Sequence, residues 1–311
     1  METFQKWNIL LPELREHFLS YCGNEELLQY SQCSKLTNQE IQKLNTTAPS
    51  FMKVEDLLCG IRVYFRYPSN NRFNLHFAKV DEKQYKLIRD FDDQINDKTF
   101  LVIKENAREA AFRYIYNRYK YVKSGKTPEL IINCEKWPME WNGIPAIYQV
   151  ENWEIRLYSS NYDKWMDFLN KNPHVKELKF STLGGNREHL CLPSQFFKTT
   201  LFNQLNRGLF YLPLFMEDND FLESQASLEL LNCDTISNNA INTKIRKWYD
   251  EQIEECNFAI GFTSPRVELK NDVLFGLTFQ QQNCYSHKID RPDGKIGVAT
   301  ILNRSVIFRH N

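Results

Sequence analysis

The hydrophobic pattern of this chain changes period along its length. In the first fifty residues apolar positions recur at helical spacing. Leu10, Leu11, Leu14, Phe18 and Leu19 form one group, and Leu27 and Leu28 follow a break at Gly23-Asn24. This predicts a helix from about Pro12 to Tyr21, since proline suits a first helical position where its missing N–H would have no partner. A second helix begins near Glu25 with Asn24 as its N-cap, and a third, short one follows around Asn38–Ile41. The apolar faces are too large for so short a segment to bury alone, so the segment is expected to hide them in a partner. Asn45–Ser50 reads as a loop. It divides a helical module, residues 1–48, from a second domain, residues 55–311.

Beyond the loop, period-two alternation takes over. Gly60–Arg66 and Arg72–Phe77 flank Tyr67-Pro-Ser-Asn-Asn71 as a hairpin, and Lys98–Ile103 is another strand. A helix is predicted over Glu105–Lys123, with Ala107, Ala111, Ile115, Tyr119 and Val122 in one stripe. Further strands are expected at Glu129–Cys134, Glu154–Ser159, Val175–Phe180, Gly208–Phe215, Ser227–Leu231, Asn257–Phe262, Val273–Gln280 and Thr300–Phe308. Helices are expected at Tyr162–Asn170, Ser194–Leu205 and Ala240–Glu255. Strand spacing of roughly twenty to thirty residues falls in the range of stacked repeats. Asn172–Phe180 and Ser227–Cys233 resemble degenerate leucine-rich repeats. The fold class is therefore α/β: a small helical module, then a mixed strand/helix domain that is either an irregular repeat solenoid or a single mixed sheet.

Composition narrows the function classes. The chain has 311 residues, 42% of them hydrophobic, which suffices for a substantial core. Lys+Arg and Asp+Glu are both 39, so no overall charge points to nucleic acid or an anionic membrane. The eight cysteines are scattered without a C-x-x-C, and Glu13, Arg15, Glu16 and His17 interrupt any leader-like apolar run. The expectation is an intracellular, reducing location, cytoplasmic and/or nuclear, with free and mostly buried thiols.

Catalytic constellations are missing from the pattern. There is no G-x-G-x-x-G, P-loop, G-x-S-x-G or H-E-x-x-H, so no enzyme, cofactor or metal site is expected. His189-Leu-Cys191 supplies two possible ligands where a tetrahedral site needs four, so it reads as a loop and strand start. Gly184-Gly185-Asn186-Arg187 reads as a loop. The helix at 108–123 interleaves Arg108, Arg113, Arg118, Lys120 and Lys123 with tyrosines, as some single-strand binders do. Its spacing gives an apolar stripe and a solvated charged face instead.

Laid out this way, the N-terminal stretch resembles an F-box. Leu11-Pro12, Leu14, Phe18-Leu19, Leu27-Leu28 and Ser31-x-Cys33-Ser34-Lys35 match its L-P-x-x-L start, hydrophobic pair, leucine-rich helix and polar segment. The remainder resembles the large nematode family in which an F-box precedes a type 2 F-box-associated domain. Ile289-Asp-Arg291-Pro-Asp293-Gly294 is followed by Ala299-Thr300-Ile301, and Asn242 to Trp248 loosely fits the family's N-x-F-L-K-x-W helix. Two extra residues, within Ile296-Gly-Val298, separate the D-G turn from A-T-I, and Thr243 and Ile245 depart from the usual helix. The resemblance implies a non-catalytic substrate receptor of an SCF-type ubiquitin ligase. Leu10, Leu11, Pro12, Leu14, Phe18, Leu19, Leu27 and Leu28 would dock on a Skp-type adaptor and through it a cullin, and the second domain would bind an unidentified protein target. The alternative is a non-catalytic α/β interaction scaffold whose F-box is degenerate.

Overall fold

The computed structural model describes Arg15, Leu19 and residues 46–47, 49–57, 59–66, 72–91, 94–103, 106–119, 122–124, 129–133, 150–157, 162–172, 174–182 and 191–310. By its internal contacts the chain divides into two compact units. One comprises Met1–Leu130 and Pro138–Val150, the other Ile131–Trp137 and Glu151–Asn311.

In the first unit the described elements are β1 (Thr46–Thr47), β2 (Phe51–Leu57), β3 (Gly60–Arg66), β4 (Arg72–Asp81), β5 (Gln84–Phe91), β6 (Gln94–Ile103), α1 (Ala107–Tyr119) and β7 (Val122–Ser124). Strands β2 to β6 form an antiparallel meander in sequence order. Its alternating Met52, Val54, Ile61, Val63, Phe65, Leu75 and Phe77 are buried. The expected stripe of α1 holds for Ala107, Ala111 and Ile115, which are all buried. Tyr114 packs its ring 6.3 Å from Phe65 and 6.0 Å from Phe77, and Arg108 is ion-paired to Asp56. This aromatic belongs to the unit's packing. The helix stops earlier than its pattern suggested, because Val122 and Lys123 form β7, which pairs parallel with β1. Thr46–Thr47, within the expected loop, is thus a short strand.

Strand β8 (Glu129–Asn133) spans the division, with Ile131–Asn133 in the second unit. There the elements are β9 (Asn152–Leu157), α2 (Tyr162–Asn170), β10 (Glu177–Thr182), α3 (Ser194–Phe197), α4 (Thr200–Asn203), β11 (Arg207–Tyr211), α5 (Asp218–Glu223) and β12 (Ser227–Leu230). They continue with α6 (Asn238–Tyr249), β13 (Phe258–Gly261), α7 (Leu269–Leu274), β14 (Gln280–Gln281), β15 (Ser286–Asp290), β16 (Ile296–Leu302) and β17 (Ser305–His310). Strands β9 to β13 are parallel neighbours in sequence order, each joined to the next through helix. Strand β17 then pairs antiparallel with β13, followed by β16, β15 and β14. The unit therefore combines both expected alternatives: a run of irregular βα units in sequence order, within one mixed sheet.

Burial along the parallel strands alternates. Trp153 and Ile155, Leu178 and Phe180, Leu228 and Leu230, and Phe258 and Ile260 are buried, with partly exposed residues between them. Parallel strands covered on both faces read as continuous apolar runs, so this alternation places the helices on one face. Beneath it, Phe180, Phe196, Phe197, Phe202 and Phe210 interlock, with ring centroids 5.1 to 6.4 Å apart.

Several expected boundaries are corrected. Val273 and Leu274 end helix α7, and of the expected strand Val273–Gln280 only Gln280 lies in a strand, as the first residue of β14. Thr300–Phe308 is two strands joined at Asn303-Arg304, where Leu302 pairs with Ser305. Ser194–Leu205 breaks into two helices because the Thr199 hydroxyl caps the second, accepting from the Phe202 N–H, and donates to the Phe196 carbonyl. The helix expected to reach Glu255 ends at Tyr249, since Glu251 turns left-handed with φ 60°. Strands β2, β5 and β15 and helix α5 were not anticipated.

Candidate functional site

The expected adaptor-docking residues Leu10, Leu11, Pro12, Leu14, Phe18, Leu27 and Leu28 lie outside the described residues. Leu19 is helical and buried, as is Arg15 one turn before it.

The C-terminal motif residues are brought together, as a structural latch. Arg291 follows β15 and is buried, with 3% of its surface exposed. Its guanidinium lies 5.4 Å from the Trp248 ring centroid and donates to the carbonyls of Trp248 and Ile253, each at 3.2 Å. It also forms two bonds to Asp293, Nε to Oδ1 at 2.9 Å and Nη2 to Oδ2 at 2.5 Å. These bonds hold the Asp293 carboxyl down to about 2. Gly294 takes φ 94°, a conformation open to glycine, so the turn can close with Gly294 N–H donating to the Arg291 carbonyl. Ile289 is fully buried opposite Gly297. The amide of Asn242 donates to the carbonyls of Val273 at 2.8 Å and Phe275 at 2.9 Å, closing the end of α7.

A second buried cation was not anticipated. Lys244 sits on the buried stripe of α6, one turn from both Ala240 and Trp248, and that placement is the sequence signal for it. Its ammonium donates to the carbonyls of Phe221 and Ser224, the latter at 2.7 Å, and lies 4.6 Å from the Phe221 ring centroid. Burial pushes its pKa down to about 8.

Both cations hold loops that shape one groove. It measures about 770 Å3 and opens between the segments that precede β11, β12 and β13. Register stacks these segments, because Arg207 pairs with Ser227 and Leu228 with Phe258. Lys244 fixes the middle loop through Ser224, and Arg291 fixes the third through Ile253. Gln204 ties the first to the Asn172 carbonyl at 3.3 Å. The lining is amide and carboxylate around Leu205, Leu222 and Ile253, and it contains no lysine or arginine.

Other candidate chemistry does not assemble here. His189 and the Gly184–Arg187 turn lie outside the described residues, and among the described residues the Cys191 thiol donates to its own neighbour's carbonyl, that of Leu192. Among the described residues no cluster of three or more His, Cys, Asp and Glu could hold a metal ion, and no helix is long and apolar enough to cross a membrane. Of the described thiols, Cys233 and Cys256 are buried, while Cys59 and Cys284 are exposed, which departs from the expectation of mostly buried cysteines.

No protein-family model and no solved structure matches the chain. Over 268 residues, 79% of this chain and 67% of the relative, it is 22% identical to an uncharacterized F-box protein, T20B12.4, of Caenorhabditis elegans.

Proposed function

We propose that the protein is an F-box substrate receptor with a type 2 F-box-associated domain, working without catalysis of its own in an SCF-type ubiquitin ligase inside the cell, in the cytoplasm and/or nucleus. The observation that carries this reading is the similarity to an F-box protein across 79% of the chain. In this reading the helical module of residues 1–48 docks on a Skp-type adaptor through Leu10, Leu11, Pro12, Leu14, Phe18, Leu19, Leu27 and Leu28, and the adaptor holds a cullin. Buried apolar anchors near an interface centre supply most of the binding energy. The second domain presents the protein target. Asn242, Trp248, Ile289, Arg291, Asp293 and Gly294 act in it by fixing loops, none of them by chemistry on a substrate.

The test is co-purification of the full chain with a Skp-type adaptor. Recovery of the adaptor with the intact protein, lost in a Leu11→Asp, Pro12→Ala double variant, supports the reading. Failure to recover it with the intact, folded protein sinks it. A second reading, an interaction scaffold with a degenerate F-box, is favoured by the burial of Leu19, 3% exposed. It predicts that Leu19→Asp lowers the unfolding midpoint of the isolated protein.

A further inference from the structure

We infer that the groove before β11, β12 and β13 docks an extended, lysine- or arginine-bearing segment of a partner protein. The inference names the target chemistry of the receptor proposed above and rests on that reading for its role in ubiquitination, but not for peptide binding itself.

Three observations carry it. The first is shape. Three loops stacked at strand spacing, about 4.8 Å apart, leave a groove that runs across the strand ends. At about 770 Å3 it has room for several residues of extended chain.

The second is charge. Glu223, Glu254 and Glu255 line the groove, and Asp250 and Glu251 precede the third loop. Most neighbouring cations are already engaged: Lys176 with Glu151, Arg207 with Glu229, Lys295 with Glu254, and Lys244 and Arg291 inside the fold, while Lys247, whose carbonyl accepts from the Gln252 and Ile253 N–H groups, forms no ion pair among the described residues. Glu223 and Glu255 have no ion-pair partner among the described residues, and the lining itself holds no lysine or arginine, so the wall of the groove is net negative. A complementary occupant is cationic.

The third is hydrogen-bonding capacity. The side chains of Asn206, Gln225 and Gln252 line the groove and form no hydrogen bond among the described residues. A primary amide both donates and accepts, which is what an extended backbone requires at every residue. The loops are fixed in advance by Lys244 and Arg291, which lowers the ordering cost of binding.

The test uses the purified full chain and a fluorescein-labelled peptide of alternating lysine and serine, read by anisotropy. The alternating glutamate–serine peptide and a lysine-acetylated copy serve as probes of charge. The lysine peptide is expected to bind at least tenfold tighter than either, with affinity falling as salt rises. Glu223→Gln with Glu255→Gln should weaken it about tenfold. Gln225→Trp, which fills the groove at an exposed position without changing charge, should weaken it as much. Glu109→Gln with Glu129→Gln, exposed carboxylates remote in sequence from all three loops, should leave it unchanged. Equal affinity for the lysine and glutamate peptides overturns the inference. So does binding that survives Gln225→Trp, which would mark a diffuse charge effect. Adaptor co-purification is scored on the same preparations. Peptide binding without adaptor recovery overturns the receptor reading alone, and adaptor recovery without peptide binding overturns the groove alone.

Discussion

Arg291 lies with its guanidinium 5.4 Å from the indole centroid of Trp248 and donates to the Trp248 carbonyl at 3.2 Å. One pair thereby joins helix α6 to the turn that closes the β15–β16 hairpin, although 43 residues separate the two in sequence. Trp248 is fully buried, with Phe308 at 5.2 Å and His310 at 5.6 Å between ring centroids. The carbonyl of Ile253, a residue that lines the groove, accepts from the same guanidinium.

Trp248→Ala should cost about 3–5 kcal/mol, the usual range for emptying a buried aromatic site. Arg291→Lys should also destabilise, because an ammonium cannot reproduce the two-pronged bond to Asp293 while reaching both carbonyls. Urea unfolding of the two variants checks this. Arg291→Lys with wild-type stability would show that charge alone suffices at this position.

Gly297 faces the same rings. A Cβ there would lie 2.6 Å from Cζ of Phe308 and 2.9 Å from Cη2 of Trp248. Both rings are buried, so neither swings away freely. Gly297→Ala should cost about 1–3 kcal/mol through overpacking, read as a lower thermal midpoint with a changed near-ultraviolet circular dichroism band.

Lys244 makes stability depend on pH. Its pKa falls from 10.5 to about 8 on burial. Below about 8 both states are protonated and the folded state carries a constant penalty. Between about 8 and 10.5 the unfolded chain binds a proton that the folded one lacks, so this residue's contribution to stability rises with pH. Relative to Lys244→Met, the wild type should gain up to about 3 kcal/mol between pH 7.5 and 10.5 in urea unfolding. A parallel pH course for the two proteins would disprove this.

Cys256 acts in the opposite sense. Burial pushes its thiol from 9.0 up to about 12, so above pH 9 the unfolded chain loses a proton that the folded one keeps. Stability present below pH 9 is then lost at about 1.4 kcal/mol per pH unit, and Cys256→Ala should flatten that decline. Native alkylation followed by mass spectrometry should label Cys59 and Cys284 and spare Cys233 and Cys256 until the chain unfolds.

The sequence made most elements of the second domain legible, because alternation and helical spacing are local. Tyr162–Asn170 and the starts of β11 and β12 follow the pattern closely. It misled where a local apolar run had two solutions. Val273 and Leu274 look strand-like, yet Asn242 closes their helix from a distant position. Lys244 lies on the buried stripe of its helix, and the carbonyls of Phe221 and Ser224 explain how its charge is held there. The motif residues Ile289, Arg291, Asp293 and Gly294 were visible as a string, but nothing in the string said that the arginine points inward.

What the sequence by itself determined was most of the run of strands and helices and the alternation of apolar and polar positions along several of the strands. Hydrophobic period and turn residues specify these within a few residues of chain. Only the tertiary structure decided that the parallel strands stack in sequence order, that Arg291 and Lys244 are buried, and that three separate loops meet in an acidic groove. Those facts depend on pairings 20 to 43 residues apart, and the free energy of such contacts comes from burial and hydrogen bonds that no local pattern records.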